Sequence, residues 1–361
     1  MVKGLRPGSV VFPADLEAFC VRAMCKAGLS EPDAQQSAEV LVTTDTWGVH
    51  THGTKQLRPL LSNVRAGRLS AQARPEVVRQ GPGWALVDGH YAMPMVTSRL
   101  AMQTAIAKAR ACGVGYVGVF HSSHFGAAGF YAVLATRQDM IGLAMCNVDP
   151  CMTVPGGRGK ILGTNPIAFA VPAGEEEPVF LDIATSAVAA SKVFAARFLG
   201  KKIPDTWLVD DDGVPTTDPS IYPESGALLP MAGHKGYGLA LLVEILAAAL
   251  TGAAMTQGVA SWLAGGPEVT NQGHAFIAID AGAIMPIRQF KARIDGLVRE
   301  IRAAPKARGC ERIYLPGEME WERRQRALER GMVLPDDAVA NLNGLAEDWG
   351  IDIGVLGRAN T

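Results

Sequence analysis

A long amphipathic helix, roughly Met95 to Ala111, runs straight into Gly113-Val-Gly-Tyr-Val-Gly118, and those glycines open an apolar β-like run, Val114 to Phe120. This order of helix, glycines and strand constrains the fold more than any other feature of the chain. The letters match GxGxxG, the dinucleotide fingerprint. That fingerprint works only after a strand and before a helix, where the helix-start amides face a pyrophosphate. Here the glycines lie at the wrong end of the helix. They predict a tight turn and a strand packed closely on its neighbour, so this motif is not read as a phosphate loop.

The flanking segments support a mixed α/β class. Residues 12–66 read as helical, with Pro13-Ala14-Asp15 opening one helix and Ser30-Glu31-Pro32-Asp33 a second. Val77 to Arg79 and Ala85 to Val87 read as short strands about a Gly81-Pro82-Gly83 turn. Beyond the central helix and strand, a helix is expected over Gly126–Thr136 and strands over Ile141–Cys146, Ile167–Val171 and Val179–Ile183. Further helices are expected over Val188–Phe198, Gly238–Leu250, Lys291–Ala303, Glu318–Arg330 and Asp336–Trp349.

Charge narrows the partners. With 34 basic and 35 acidic residues the net charge is −1, which leaves no field to attract nucleic acid or an anionic membrane. The most apolar stretch, Gly238 to Met255, carries Glu244 and reads as a buried helix, not a membrane span. The segment Met1 to Val11 has no apolar signal region, and the six scattered cysteines form no CxxC pattern. Free thiols and a cytoplasmic location are expected.

The histidines carry the chemical signal. Five of seven fall in His50-Thr51-His52-Gly53, His121-Ser-Ser-His124 and Gly233-His234-Lys235-Gly236. Imidazole suits proton transfer to or from a carbonyl oxygen because its pKa lies near working pH. Two other readings stand beside this one. The HxH and HxxH pairs could supply four nitrogens to a metal, as in a histidine-ligated metal hydrolase, and the chain could be a non-catalytic ligand-binding protein. No Cys or acidic residue sits inside either pair, so no metal is assigned. Lys235, just ahead of an apolar helix, could hold a phosphate together with helix-start amides. Asp182 ends a β-like run, where a carboxylate can orient a histidine or bind ribose hydroxyls. Thr164-Asn165-Pro166 reads as a turn.

Taken together, eight blocks in order resemble the malate/L-lactate dehydrogenase family, which includes ureidoglycolate, sulfolactate and diketogulonate oxidoreductases. They are Gly48-Val-His-Thr-His-Gly53, Ser123-His-Phe-Gly-Ala-Ala-Gly129, Gly163-Thr-Asn-Pro166, Asp182-Ile-Ala-Thr-Ser186, Ile203-Pro-Asp-Thr-Trp207, Gly213-Val-Pro-Thr-Thr-Asp-Pro219, His234-Lys-Gly-Tyr-Gly238 and Leu315-Pro-Gly-Glu318. The later blocks look most like ureidoglycolate dehydrogenase. The resemblance implies an α/β fold that is not a Rossmann fold, with a helical part built from both chain ends, residues 1–120 with 285–361, and a central mixed-sheet cofactor domain, residues 121–284. It also implies a homodimer that interconverts a small 2-hydroxy acid and its 2-oxo acid with NAD, or with NADP.

By position, His52 matches a proton donor of some members, and His124 the catalytic base of ureidoglycolate dehydrogenase. Asp182 is a possible orienting partner for either. Asp182, Ile183, Ala184, Thr185, Ser186, His234, Lys235, Gly317 and Glu318 match cofactor-contacting segments, while Thr51 and Asn165 could bond substrate oxygens. The sequence departs from the family at Trp47 and Gln56, where arginines are common, and at Val148, where ureidoglycolate dehydrogenase has a substrate-binding serine. Lys55 or Arg58 could replace the lost carboxylate clamp, although Pro59 disfavours a helical Arg58.

Overall fold

A computed structural model describes residues 4–263, 266–354 and 356. A short strand β1 (Val10–Val11) precedes α1 (Pro13–Lys26) and α2 (Glu31–Thr46). Both helices carry proline in the first turn, and the Ser30 side chain caps α2 by accepting from Asp33 N–H at 3.4 Å. Two 3-10 turns, His50–His52 and Thr54–Gln56, lead into α3 (Leu57–Arg65). Arg58 is helical despite Pro59, which sits in the first turn of α3, where the missing N–H loses no intrahelical bond.

The centre is β2 (Glu76–Gln80), β3 (Trp84–Asp88), α4 (Pro94–Cys112), β4 (Val114–Ser122), α5 (Ala128–Thr136), β5 (Met140–Cys146), β6 (Ile167–Val171) and β7 (Val179–Ile183). Helix α5 starts two residues later than the sequence suggests because Gly126 has φ +82°, outside the helical region. There follow α6 (Ala190–Phe198), the short strands β8 (Leu208–Val209), β9 (Pro215–Thr216) and β10 (Ala227–Leu228), and α7 (His234–Glu244). Helix α7 begins earlier than expected and continues as a π-helical turn, Ile245–Ala249. The chain closes with β11 (Gln272–Asp280), α8 (Ala281–Ile284), α9 (Ile287–Ala303), α10 (Glu318–Arg330), β12 (Met332–Val333) and α11 (Asp336–Trp349).

Seven strands form one sheet in the order β2-β3-β4-β11-β5-β6-β7. Only β3 and β4, joined through α4, run parallel; the other pairs are antiparallel. Strand β11 thus enters the middle of the sheet from late in the chain. Its residues alternate: His274, Phe276 and Ala278 are buried on one face, while Ala275 packs with Ala247 of the π turn on the other.

Pairing of β1 with β12 ties the two chain ends together, and one core runs from Leu5 to Leu356. The division expected at residue 120 falls inside β4, so the large sheet draws strands from both sides of it. The part with its own core, built around Met152, Val193, Leu208, Tyr222, Leu228 and Ala240, surrounds the small sheet β10-β8-β9.

Candidate active site

Three aromatic rings from distant parts of the chain stack together. His52 closes the 3-10 turn after α2, His124 lies in the turn between β4 and α5, and Trp262 lies in the loop before β11. The imidazole centroids of His52 and His124 are 5.4 Å apart with planes inclined by 26°. The indole of Trp262 covers the other face of His124 at 4.3 Å and 21°.

Asp45 builds the turn that carries His52. It is buried at the end of α2 and accepts from Thr54 N–H at 2.8 Å, from the Thr54 hydroxyl at 2.6 Å and from His50 Nδ1 at 2.9 Å. Gly53 is required there, because a Cβ would run into the Asp45 carboxylate. Within the turn, Thr51 Oγ1 lies 2.9 Å from His52 Nδ1, and the Gln56 amide donates to the Thr51 carbonyl.

Burial holds both rings neutral. It lowers the His52 pKa, and among the described residues no carboxylate bonds either imidazole to offset this. His124 is driven well below the ordinary imidazole range, first by burial and then by the nearby His52 and His274. Gly126 N–H approaches His124 Nδ1 at 3.4 Å. Neutral, half-buried imidazoles beside an apolar wall can take a proton from a hydroxyl group.

The four clustered imidazoles do not converge on a common point. His50 is turned to Asp45, and His121 Nδ1 lies 3.0 Å from Asp88 Oδ1. Among the described residues no group of three or more His, Cys, Asp or Glu side chains is placed to hold a metal ion.

Several other site residues are engaged differently from the sequence reading. Asp182 bonds neither histidine. It accepts from Gly129 N–H at 2.7 Å and so caps the first turn of α5 from β7; burial raises its carboxyl pKa to about 6. Asn165 is buried, with Oδ1 accepting from Val148 N–H at 3.0 Å and Nδ2 donating to Ala240 O at 3.0 Å and Glu244 Oε2 at 2.8 Å. Its amide is spent inside the protein and braces the backbone at Val148. Lys55 pairs with Asp337 and Arg58 with Asp348, 2.8 Å from Nε to Oδ2, so both cations are turned onto α11. Trp47 likewise packs inward, against Phe180 at 4.9 Å and Trp321 at 5.9 Å.

The segments matched to cofactor contacts lie side by side around β7. Met231 N–H donates to Thr185 O at 2.9 Å, joining the Asp182–Ser186 strand end to the start of α7. The Thr185 hydroxyl donates to Thr164 O at 2.8 Å and the Ser186 hydroxyl to Val188 O at 2.8 Å, while Ile183 and Ala184 remain partly exposed. His234 and Lys235 are exposed in the first turn of α7, after Gly233 at φ +63°. Phe180 N–H donates to Pro316 O at 3.2 Å, which brings Gly317 and Glu318 to the same strand. The Glu318 carboxylate accepts from Leu315 N–H, just ahead of its helix, at 2.9 Å and pairs with Arg312 and Arg302. An exposed lysine at a helix start, beside an open strand end, suits a diphosphate.

Sequence reasoning missed Asp45 as the builder of the His52 turn, Trp262 as the cover of His124, and His274. The only local signal for His274 was its isolation in an apolar strand, because its partners, Ser98 and Ser123, lie far away in sequence.

The comparisons with known proteins agree with this architecture. Residues 11–343 match the family described as Malate/L-lactate dehydrogenase. A malate dehydrogenase of Pyrococcus horikoshii is 36% identical over 93% of this chain and 94% of its own length. Ureidoglycolate dehydrogenase (NAD(+)) of Escherichia coli is 34% identical over 87% and 89% respectively. The structure of sulfolactate dehydrogenase from Methanocaldococcus jannaschii superposes with a TM-score of 0.89 at 35% identity, over 96% of this chain and 99% of that one. The non-Rossmann mixed sheet, the helical layer drawn from both chain ends and the match along nearly the whole chain together place this protein in the malate/L-lactate dehydrogenase family.

Proposed function

We propose that the protein interconverts a small 2-hydroxy acid and its 2-oxo acid with NAD, or with NADP, and that His52 and His124 share the proton transfer. The observation that carries this reading is the stacked pair of neutral imidazoles, 5.4 Å apart and covered by Trp262. Relatives named for malate, sulfolactate and ureidoglycolate support the substrate class. A bound nicotinamide would supply the hydride acceptor for oxidation and the hydride donor for reduction.

The chain's own residues handle the proton and the orientation. During oxidation a neutral imidazole takes the hydroxyl proton as the carbon becomes a carbonyl; in reduction the imidazolium returns it to the developing alkoxide. A carboxylate entering beside the pair favours proton uptake by imidazole and opposes the lowering caused by burial. Thr51 is placed to set the His52 ring through their 2.9 Å contact. Lys235 and the open strand end near Asp182 to Ser186 are the proposed cofactor contacts.

We also propose a cytoplasmic homodimer. Leu241, Leu242, Ile245 and Leu250, along α7 and its π turn, are 40–60% exposed and form an apolar stripe suited to a second copy. All six cysteines are free thiols, in keeping with a reducing compartment.

The deciding experiment follows absorbance at the nicotinamide band, with both cofactors against a panel of 2-hydroxy and 2-oxo acids. Turnover on at least one acid is expected. No turnover on any of them, with folded protein that binds NADH, would reject the reading.

A further inference from the structure

The turn Ser123-His124-Phe125 is gripped on both sides by buried side chains. His274 stands on β11, between Val119 of β4 and Cys146 of β5, where an apolar residue would pack without desolvation cost. It is fully buried, which lowers its pKa to about 3 and keeps it neutral. Both ring nitrogens are nonetheless satisfied. Nε2 lies 3.1 Å from the Ser123 carbonyl, which can only accept, so Nε2 carries the proton. Nδ1 therefore accepts from the Ser98 hydroxyl of α4, at 3.1 Å.

On the other flank of His124 along the chain, the buried Tyr131 hydroxyl of α5 donates to the Phe125 carbonyl at 2.6 Å. The Phe125 ring is held between the two, 4.5 Å from His274 and 5.0 Å from Tyr131. The carbonyls immediately before and after His124 are thus both fixed by rigid core groups, where β4 has ended and the pairing register with β11 shifts at Gln272/His274.

We propose that His274, held by Ser98 and assisted by Tyr131, is a positioning residue that aims the His124 imidazole at the reacting oxygen. The inference rests on the reading of His124 as a proton-transfer residue. Satisfying a stray carbonyl would explain one buried donor, but the clamp brackets His124 from two helices and a central strand. Small displacements of a reacting group cost up to about 10²-fold in rate, so loosening the turn acts on turnover more than on binding.

The test compares His274→Phe, which fills the space without a donor, with His274→Gln, which keeps an N–H of similar reach. Tyr131→Phe removes one hydroxyl with little change in packing, so it provides a clamp variant that folds if His274→Phe does not. His274→Phe is expected to lower kcat by roughly 10- to 100-fold, with KM and the NADH dissociation constant within about twofold. His274→Gln should recover much of that loss, and Tyr131→Phe should lower kcat by a smaller factor. In a His124→Ala background, His274→Phe should cost almost nothing further, because two groups acting as one unit are not additive.

A loss of the same size with and without His124 would overturn the proposal, as would wild-type kcat in His274→Phe and in Tyr131→Phe. Histidine-labelled NMR supplies a readout without turnover: the His124 ring resonances should broaden or shift in His274→Phe and return in His274→Gln. Unchanged resonances would also overturn the clamp. A wild-type protein without turnover on any 2-hydroxy acid would instead reject the proposed function, and the NMR comparison would still decide the clamp.

Discussion

Gly115→Ala separates a packing glycine from a phosphate-binding one. Gly115 is the middle glycine of Gly113-Val-Gly-Tyr-Val-Gly118 and lies on β4 beneath α4. A Cβ there would stand 2.9 Å from Ala109 N and 3.0 Å from Ala105 C, and closer still to the Ala105 carbonyl oxygen. Both neighbours are backbone of a helix whose Ala101, Met102, Ala105 and Ala109 are buried, so neither can swing aside. Ordinary carbon contacts need about 3.5 Å, and α4 would have to lift by more than half an ångström. Overpacking of a rigid core costs about 1–3 kcal/mol, and a backbone-to-backbone clash belongs at the upper end. The reduced freedom of the unfolded chain returns at most about 0.4–1 kcal/mol, leaving a net loss of about 2 kcal/mol. Urea unfolding followed by tryptophan fluorescence should show that loss, while NADH titration gives a dissociation constant within twofold of wild type. Unchanged stability with cofactor affinity weakened tenfold or more would refute the packing argument and restore the glycines as a phosphate loop. Gly113 is the internal control. It has φ +84° and ψ −32°, outside the left-handed helical well, and a Cβ added there would meet nothing within 4 Å among the described residues, so Gly113→Ala should cost about 1–3 kcal/mol of backbone strain alone, without overlap.

Five further outcomes are expected. His52→Ala and His124→Ala should each reduce turnover by ~10²- to 10⁴-fold, as for a positioned acid or base, and near-normal rates in both would remove the proposed proton transfer. Because burial lowers the His52 and His124 pKa values, the neutral base form persists below the usual imidazole range, so the acid limb of kcat/KM for hydroxy-acid oxidation should fall below pH 6.5. The same sign governs folding: with His274 at about 3, its contribution is fully present above pH 6.5 and is lost as pH falls toward 3, which acid titration of the wild type against His274→Gln measures. Lys235→Ala should weaken NADH binding while leaving the KM for the acid nearly unchanged, and an unaltered dissociation constant would remove Lys235 from the cofactor site. Arg58→Ala should leave KM unchanged and cost about 0–1 kcal/mol of stability, because Arg58 is paired with Asp348 at a partly exposed position; a tenfold rise in KM would return Arg58 to the substrate.

What the sequence made legible was local. Ser30-Glu-Pro-Asp marks the start of α2, and Glu318–Arg330 and Asp336–Trp349 are helices over the ranges their periodicity suggests. The helix-then-strand order around Gly113 to Gly118 argued against a phosphate loop at that place, because it depends only on neighbours in the chain. The histidines were visible because imidazole pairs flanked by hydroxyls and glycine are chemically unusual. Their roles were not visible, since a role is set by partners across the fold. Lys55 and Arg58 read as free cations beside the site, yet their carboxylates lie on α11, 282 and 290 residues away.

The same physics separates Asp182 from His274. Asp182 was conspicuous as a carboxylate ending a strand, and either a histidine or a ribose could have claimed it. In the fold it reaches the first turn of α5 instead, where a helix-start N–H of Gly129 partly offsets the cost of burying it. His274, alone in Gly-His-Ala-Phe-Ile-Ala, looked like one more core position. Its significance follows from the insertion of β11 between β4 and β5, which no local pattern specifies and which sets an imidazole 3.1 Å from the carbonyl preceding His124. Polar residues in an apolar strand are costly unless bonded. A lone buried histidine at the centre of a sheet is therefore a sign that some non-repetitive backbone nearby is being held, and here that backbone carries the proposed proton-transfer residue.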